Sequence, residues 1–255
     1  MANRRINLEG AVNFRDIGGY AAGQDRRVRW QTVYRSDSLA ELTDADVEEI
    51  AALDLYGVCD YRLEPERLRK PDRLPSMPAL KLITPGFIPE GTEDMLRGVR
   101  RGEIGARDIE AAVLGHYRDF ATRHIGNYAS FFEMLLEADG RPVLMHCTSG
   151  KDRTGWGIAL LLLAVGCGDD DIVADYTLTN RYRRDLAFMF PEGADEEAVG
   201  ILQEARPAYI RTALDSLRET YGESDTWLAE LGLSPNDISE LRASLTEPTP
   251  ADQAL

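Results

Sequence analysis

The segment spanning residues 142–165 constrains the fold more than any other part of the chain. Pro142–His146 (PVLMH) is an apolar run with the length and composition of a buried strand. After a short polar loop, Thr154–Val165 is apolar on all sides, so a helix formed there must be buried nearly all round. A buried strand leading directly into a buried helix is typical of an α/β architecture, with a central, largely parallel sheet and helices on both faces.

The spacing of apolar residues alternates between strand and helix periods along the first two thirds of the chain. Gln31–Arg35 and Gly57–Tyr61 read as short strands, and Thr43 with Asp46 resembles a capping box that opens a helix running to about Leu55. Further helices are predicted over Ile109–Ala138 with a break near Gly126, and over Asp169–Asn180, Ala208–Tyr221, Asp225–Leu231 and Pro235–Leu245, the last with Ser234 as N-cap. We therefore predict an α/β fold with a central, mostly parallel sheet flanked by helices.

Neither a repeat nor a linker divides the 255 residues, so we predict a single domain over residues 1–246. The last residues, Glu247–Leu255 (EPTPADQAL), read as a loose tail. The most apolar run, Gly157–Gly166, has about half of the ~20 residues that a membrane-spanning helix needs. We expect no integral membrane association and no secretory signal, and hence a cytoplasmic protein, with leaderless export left open.

Charge and cysteine content exclude several classes of function. The chain has 44 acidic and 29 basic residues, a formal net charge of −15, which repels nucleic acid over most of the surface. We therefore expect no nucleic-acid partner, and an anionic substrate needs a local positive site. Three cysteines without CxxC spacing favour neither a disulfide framework nor a zinc site. We expect no metal and no cofactor.

The loop between the predicted strand and helix carries the residues best suited to chemistry. Cys147 and Arg153 lie six positions apart in His146–Gly155 (HCTSGKDRTG). A loop of this length, with Gly150 inside it, can turn its backbone N–H groups toward one oxyanion at the positive end of the following helix. The same field stabilises a thiolate, so Cys147 is expected to be ionised without a histidine base, and Arg153 offers a planar fork for two phosphoryl oxygens.

This loop resembles the phosphate-binding loop of cysteine-dependent protein tyrosine phosphatases, and its Lys-Asp pair resembles an atypical bacterial subgroup with mycobacterial members. Further similar motifs occur in the expected order: NFRDIGGY at residues 13–20, YRSD at 34–37, and CDYR at 59–62 followed by Glu66. The resemblance covers about residues 5–245. One departure is Asp-Tyr-Arg where Asp-Leu-Arg is usual. The resemblance implies hydrolysis of phosphotyrosine, with phosphoserine, phosphothreonine and phosphoinositides as further substrates, and partners that are phosphorylated proteins or phosphoinositides.

By this resemblance, Cys147 attacks phosphorus and forms a cysteinyl-phosphate that water then hydrolyses. The reaction needs an acid that later acts as a base, and two carboxylates remain candidates. Asp152 lies inside the loop, where a salt bridge that holds the loop is its other interpretation. Asp60 ends a predicted strand, where it could instead orient Arg62 or Arg153. The sequence leaves this choice open.

The residues expected to bind the phosphate form one continuous segment: Thr148, Ser149, Gly150, Lys151, Asp152, Arg153 and Thr154. Lys151 adds a cation that suits a multiply phosphorylated ring, and Thr154 either donates to the Cys147 thiolate or caps the following helix.

Residues 180–206 are expected to form a helical lid, with an amphipathic core helix as the alternative. A non-catalytic phosphate-binding module or redox sensor is the other class of function that the same loop supports.

Overall fold

The central element is a five-stranded sheet in a computed structural model that describes residues 4–184, 195–222 and 225–250. With strands numbered along the chain, its spatial order is β1 (Arg15–Asp16), β3 (Val33–Ser36), β6 (Val143–His146), β4 (Gly57–Asp60) and β5 (Lys81–Ile83). Only β1 runs antiparallel to its neighbour, so the prediction of a mostly parallel sheet is confirmed. A separate antiparallel pair joins β2 (Arg26–Val28) to β7 (Thr246–Pro248).

Helices cover the sheet and form most of the C-terminal third. In the described ranges they are α1 (Asp44–Ala52), α2 (Glu64–Arg69), α3 (Thr92–Arg101), α4 (Ala106–Thr122), α5 (Ala129–Ala138), α6 (Asp152–Ala164), α7 (Asp169–Thr177), α8 (Thr179–Tyr182), α9 (Glu196–Gln203), α10 (Pro207–Tyr221) and α11 (Pro235–Leu245). Short 3-10 helices occupy Ile125–Tyr128 and Asp225–Leu231. None of the helices in these ranges is long and apolar enough to cross a membrane.

The register of the parallel strands places their carboxyl ends side by side. Ser36 at the end of β3 and Asp60 at the end of β4 both pair with His146 at the end of β6. The loop that follows β6 therefore leaves the sheet between two neighbouring strand ends. In open α/β sheets this edge is where ligand crevices form.

Helix α6 is buried nearly all round, as predicted. Every residue from Thr154 to Leu162 is buried, and Trp156 is completely inaccessible. Its packing against β6 is close, because a Cβ built on Gly157 would lie 2.6 Å from the Met145 methyl carbon. The helix begins at Asp152 rather than at Thr154, so the loop after β6 is two residues shorter than predicted.

Helix ends that depend on local capping agree with the sequence. Thr43 and Asp46 form a capping box at the start of α1, and Ser234 with Asp237 forms another at the start of α11. The break predicted near Gly126 is the 3-10 turn between α4 and α5. Asp225–Leu231, predicted as a helix, is a 3-10 helix.

The predicted loose tail is wrong at its beginning. Thr246–Pro248 pair with β2, and the Arg27 Nε donates to Glu247 at 2.8 Å. Thr249 N adds a further bond to Asp25 O at 2.8 Å. The composition of this segment is that of a free end, but backbone groups at the edge of β2 supply partners that no local pattern shows. Residues 251–255 lie outside the described residues.

Candidate active site

The loop after β6 is tethered through its carbonyl oxygens. Donors from outside the loop hold three consecutive carbonyls, at 3.1 Å for Ser38 N to Thr148 O, 3.2 Å for Asn13 Nδ2 to Ser149 O and 2.6 Å for Arg35 Nη2 to Gly150 O. In a trans peptide the next N–H points away from the carbonyl, so the following three N–H groups turn to the opposite side. No group in the described part of the chain accepts a hydrogen bond from the N–H of Ser149, Gly150 or Lys151. These donors are free for an anion.

Gly150 is required by the shape of this loop. Its φ is +66°, in the left-handed region, and a Cβ at this position would lie 2.4 Å from Ser36 O and 2.8 Å from Asp37 N. The loop therefore passes against the end of β3 more closely than any side chain allows.

Cys147 lies at the base of the loop, directly after β6, with 2 % of its surface exposed. The hydroxyl of Tyr128 donates to Arg153 O at 2.9 Å beside it. Burial raises the pKa of Tyr128 well above its usual value, and the charge of Cys147 raises it further. The hydroxyl therefore remains protonated and keeps its hydrogen bond to Arg153 O.

The other two cysteines have no such environment. Burial raises the pKa of Cys59 well above its usual value and that of Cys167 to about 12. Both therefore remain thiols at neutral pH.

Arg153 is held in a fixed orientation by Glu66 at the start of α2. The guanidinium bonds both carboxylate oxygens, at 2.8 Å for Nη1 to Oε2 and 3.1 Å for Nη2 to Oε1, and Nη1 also donates to Tyr61 O at 2.9 Å. Burial opposes the charge on Glu66, but Arg153 lowers the pKa of this carboxyl to about 2. Glu66 is thus ionised throughout the neutral range and acts as a positioning residue. The sequence placed it in a motif without assigning it this role.

Asp152 faces a cavity of about 220 Å³ that we call the apolar cavity. Its walls include Met95, Leu96, Val113, His116 and Phe120, together with Asp152 and Arg153. The Tyr117 hydroxyl donates to Asp152 Oδ1 at 2.7 Å and lies 2.5 Å from the Tyr176 hydroxyl. This pair of tyrosines holds the carboxyl group of Asp152 at the cavity wall.

The structure does not bring Asp60 to the apolar cavity. Its carboxylate accepts bonds from Arg62 N at 2.9 Å, Nε at 3.0 Å and Nη2 at 2.8 Å, and it is 5 % exposed. This is the alternative that the sequence left open, in which Asp60 orients Arg62. Asp60, Asp72 and His146 place ligand atoms within 4.8 Å of one another, but Arg62 forms ion pairs with both carboxylates there. A metal ion would have to displace that guanidinium.

The geometry of this loop, with a cysteine, a fixed arginine and inward-pointing amides, agrees with the comparisons to known proteins. A family model described as the tyrosine phosphatase family matches residues 6–247. The chain belongs to the tyrosine phosphatase family. It is 31% identical over 274 residues to the triple specificity protein phosphatase PtpB of Mycobacterium tuberculosis, covering 93% of this chain and 98% of the relative.

Two further comparisons give the similarity of this chain to other bacterial proteins. The phosphatase is 32% identical over 237 residues to a Cupriavidus necator protein that carries a tyrosine-protein phosphatase name, covering 90% of this chain and 84% of that protein. The crystal structure of TpbA from P. aeruginosa aligns with a TM-score of 0.35 and 16% identity, over 77% of this chain and 89% of that chain.

The two threonines of the phosphatase loop differ in what they contact. Thr148 donates to Glu66 and accepts from Arg153 Nη2 at 3.3 Å, so it helps Glu66 to fix the orientation of Arg153. Thr154 does not cap α6, because Lys151 occupies the N-cap position. The Thr154 hydroxyl is buried and has no hydrogen-bond partner among the described residues. It therefore has a proton to donate inside the site.

The side chain of Lys151 does not point to the expected phosphate position. Its ammonium group donates to Leu202 O at 2.5 Å and lies 3.4 Å from Glu204 O, at the C-terminal end of α9. Unpaired carbonyls at a helix C-terminus attract a cation, which explains this orientation. Of the predicted lid over residues 180–206, residues 185–194 lie outside the described residues, and α9 contacts the loop through Lys151.

Behind the loop, a buried ion cluster connects it to the sheet. Asp175 of α7 pairs with Arg15 at 3.2 Å and with Arg35, and all three side chains are at most 1 % exposed. Arg35 also holds Gly150 O. The arginines of the two N-terminal motifs therefore support the loop from behind.

Proposed function

We propose that this tyrosine phosphatase hydrolyses its substrates through a cysteinyl-phosphate on Cys147, with Arg153 and the loop amides binding the phosphoryl group. The observation that carries this proposal is the combination of three free N–H groups with a guanidinium fixed by Glu66, around one cysteine. Such donors stabilise the equatorial oxygens of a phosphoryl group during transfer.

In the first step, the sulfur of Cys147 attacks phosphorus while the bond from phosphorus to the substrate oxygen breaks. Asp152, at the wall of the apolar cavity, donates a proton to that departing oxygen. Tyr117 keeps the carboxyl group in place, and because burial raises the pKa of Tyr117 well above its usual value, its hydroxyl remains protonated. The products of this step are the alcohol and the cysteinyl-phosphate.

In the second step, water attacks phosphorus and gives its proton to Asp152, while the bond from sulfur to phosphorus breaks. The departing thiolate needs a hydrogen-bond donor, and the buried hydroxyl of Thr154 lacks any other partner in the described part of the chain. This step releases inorganic phosphate and restores Cys147 and Asp152 to their starting states.

The apolar cavity supports an aromatic leaving group, because most of its wall is apolar and it ends at Asp152 and Arg153. Phosphotyrosine is therefore the main substrate of this proposal. Phosphoserine, phosphothreonine and phosphoinositides are included because the mycobacterial relative is named a triple specificity phosphatase. We also propose a reducing compartment, the cytoplasm, since a nucleophilic cysteine is readily oxidised.

Covalent trapping tests this function directly. With EDTA present, rapid acid quenching during turnover of p-nitrophenyl phosphate is expected to leave a phosphoryl group on the peptide that contains Cys147. Mass spectrometry after digestion detects it, and the Cys147→Ser variant serves as the blank. Binding of phosphate without turnover, or activity that EDTA abolishes, would contradict the proposal and favour a non-catalytic or metal-dependent protein.

Asp152→Asn distinguishes between the two candidate acids. We expect it to lower kcat about 100-fold on phenyl phosphate, whose leaving group has a pKa of about 10, like that of tyrosine. The loss on p-nitrophenyl phosphate should be much smaller, because that oxygen departs without a proton. Asp60→Asn is the matched control and should reduce both rates by the same factor. If the loss of kcat depended on the leaving group in Asp60→Asn and not in Asp152→Asn, Asp60 would be the general acid and Asp152 would have a structural role.

A further inference from the structure

A second cavity lies against the phosphate-binding loop, and we call it the side cavity. Its volume is about 70 Å³. The loop contributes Thr148, Ser149 and Lys151 to its wall, and the charged residues Asp37, Arg183 and Arg184 face it from outside the loop. The same loop residues are among those expected to hold the phosphate. The side cavity is therefore separated from the catalytic phosphate position by little more than the width of the loop.

Two of the charges around the side cavity neutralise each other. Arg184 Nε lies 3.2 Å from Asp37 Oδ2, and the rest of its guanidinium contacts Glu41 and Gly10 O. Asp37 also accepts from Asn13 N at 3.0 Å. Neither residue is therefore available to balance a further charge in this cavity.

Arg183 is the charge that remains unbalanced. Its Nη1 atom is buried and has no hydrogen-bond partner among the residues that the structure describes, and no carboxylate among them pairs with its guanidinium. Arg183 as a whole is half-buried, but a buried guanidinium nitrogen without a partner is costly, because that N–H group has lost water without gaining another acceptor. In a protein of net charge −15, whose other arginines around this loop all have acid partners, such a group indicates an anion-binding position.

We propose that the side cavity is a second anion subsite, in which Arg183 and the Ser149 hydroxyl bind a second phosphate group of the substrate. This inference rests on the proposed function. It assigns the phosphatase a substrate with two phosphates on neighbouring positions of one ring, as in an inositol phospholipid headgroup. Two phosphorylated side chains of an extended peptide alternate between opposite faces, so they fit two sites on one loop less well.

The kinetic test compares substrates that differ only in the second phosphate. Short-chain inositol phospholipids with one phosphomonoester, or with two on adjacent ring carbons, are assayed with wild type and the Arg183→Gln variant. We compare kcat/KM for the substrate with two phosphomonoesters to kcat/KM for the substrate with one. Arg183→Gln is expected to reduce this ratio by about tenfold to a hundredfold, mainly by raising KM for the doubly phosphorylated substrate, because a charge-assisted bond to its second phosphate is lost. Arg181→Gln, which changes an exposed arginine of α8 two residues before Arg183, is the matched control and should leave the ratio unchanged.

A binding measurement separates this inference from the proposed catalysis. Titration of Cys147→Ser with inorganic phosphate by calorimetry should show two bound phosphates, and Cys147→Ser/Arg183→Gln should show one. One phosphate in both proteins would overturn the subsite. Two phosphates with an unchanged kinetic ratio would mean that free phosphate binds and would overturn the headgroup assignment. The headgroup assignment would also be overturned if Arg183→Gln reduced kcat/KM more for doubly phosphorylated peptides than for the doubly phosphorylated lipid. If wild type hydrolyses none of these substrates, the proposed function fails, while the stoichiometry still tests the subsite.

Discussion

Arg153→Lys is expected to lower kcat for a phosphotyrosine peptide by about a thousandfold, which is the scale of losing a preorganised cation in phosphoryl transfer. Arg153 presents a planar fork whose orientation is fixed by two bonds to Glu66, at 2.8 Å and 3.1 Å. A lysine keeps the positive charge but offers a single mobile ammonium group, so it lacks the rigid planar pair of N–H donors with which a guanidinium holds two phosphoryl oxygens. Steady-state kinetics on the purified variant, with its melting temperature as a check of folding, gives the result.

Two further variants are compared with Arg153→Lys, one at the residue that orients Arg153 and one at an exposed control position. Glu66→Gln retains Arg153 but removes the charge that orients it, so its loss of kcat should be clearly smaller than that of Arg153→Lys. Arg118→Lys makes the same substitution on the exposed face of α4 and should leave kcat unchanged. If Arg153→Lys retained more than a tenth of the wild-type kcat, the guanidinium would not be the group that stabilises the transferring phosphoryl.

Asp175→Asn is expected to lower the free energy of unfolding by about 3–5 kcal/mol, a large share of the ~5–15 kcal/mol typical of a domain. Burial by itself would raise the pKa of Asp175, but Arg15 and Arg35 hold the pKa of this carboxyl below its usual value. The asparagine leaves two completely buried guanidinium groups without a counter-charge. Urea denaturation followed by far-ultraviolet circular dichroism measures the difference.

The matched control for this substitution lies on the same helix. Asp170→Asn changes a side chain that is 98% exposed and pairs only with the exposed Arg211, so no measurable change is expected. Because Arg35 also holds Gly150 O, the Asp175→Asn protein that remains folded should show a lower kcat as well. A variant as stable as wild type would mean that the two arginines find other acceptors behind the loop.

Much of the site could be predicted because it is local in the chain. The strand before Cys147, the glycine at residue 150 and the helix that begins at Asp152 lie within a few residues of one another, and each has a strong pattern. An apolar run, a tight turn and a helix buried all round leave few other arrangements. The same holds for the helix starts at Thr43 and Ser234, where the capping groups are three residues apart.

Other predictions failed because their outcome depends on partners far along the chain. The tail at Thr246–Pro248 pairs with a strand more than two hundred residues earlier. The Lys151 ammonium binds carbonyls at the end of α9 instead of turning to the phosphate position. Asp60 and Asp152 looked alike in the sequence, yet Arg62 surrounds one and Tyr117 presents the other to a cavity. No local sequence pattern predicts which of these distant residues will contact a given side chain.

The amino-acid sequence was sufficient to establish the fold class and the family, and it placed the proposed nucleophile in the loop after β6, since these depend on short-range patterns in the backbone and on residue types at fixed spacing. Folding of the whole chain was needed to show that Glu66 orients Arg153, that Asp175 supports the loop, and that Arg183 lies beside it without a partner among the described residues. The physical reason is that ion pairs and burial act through space, between groups that only packing brings together.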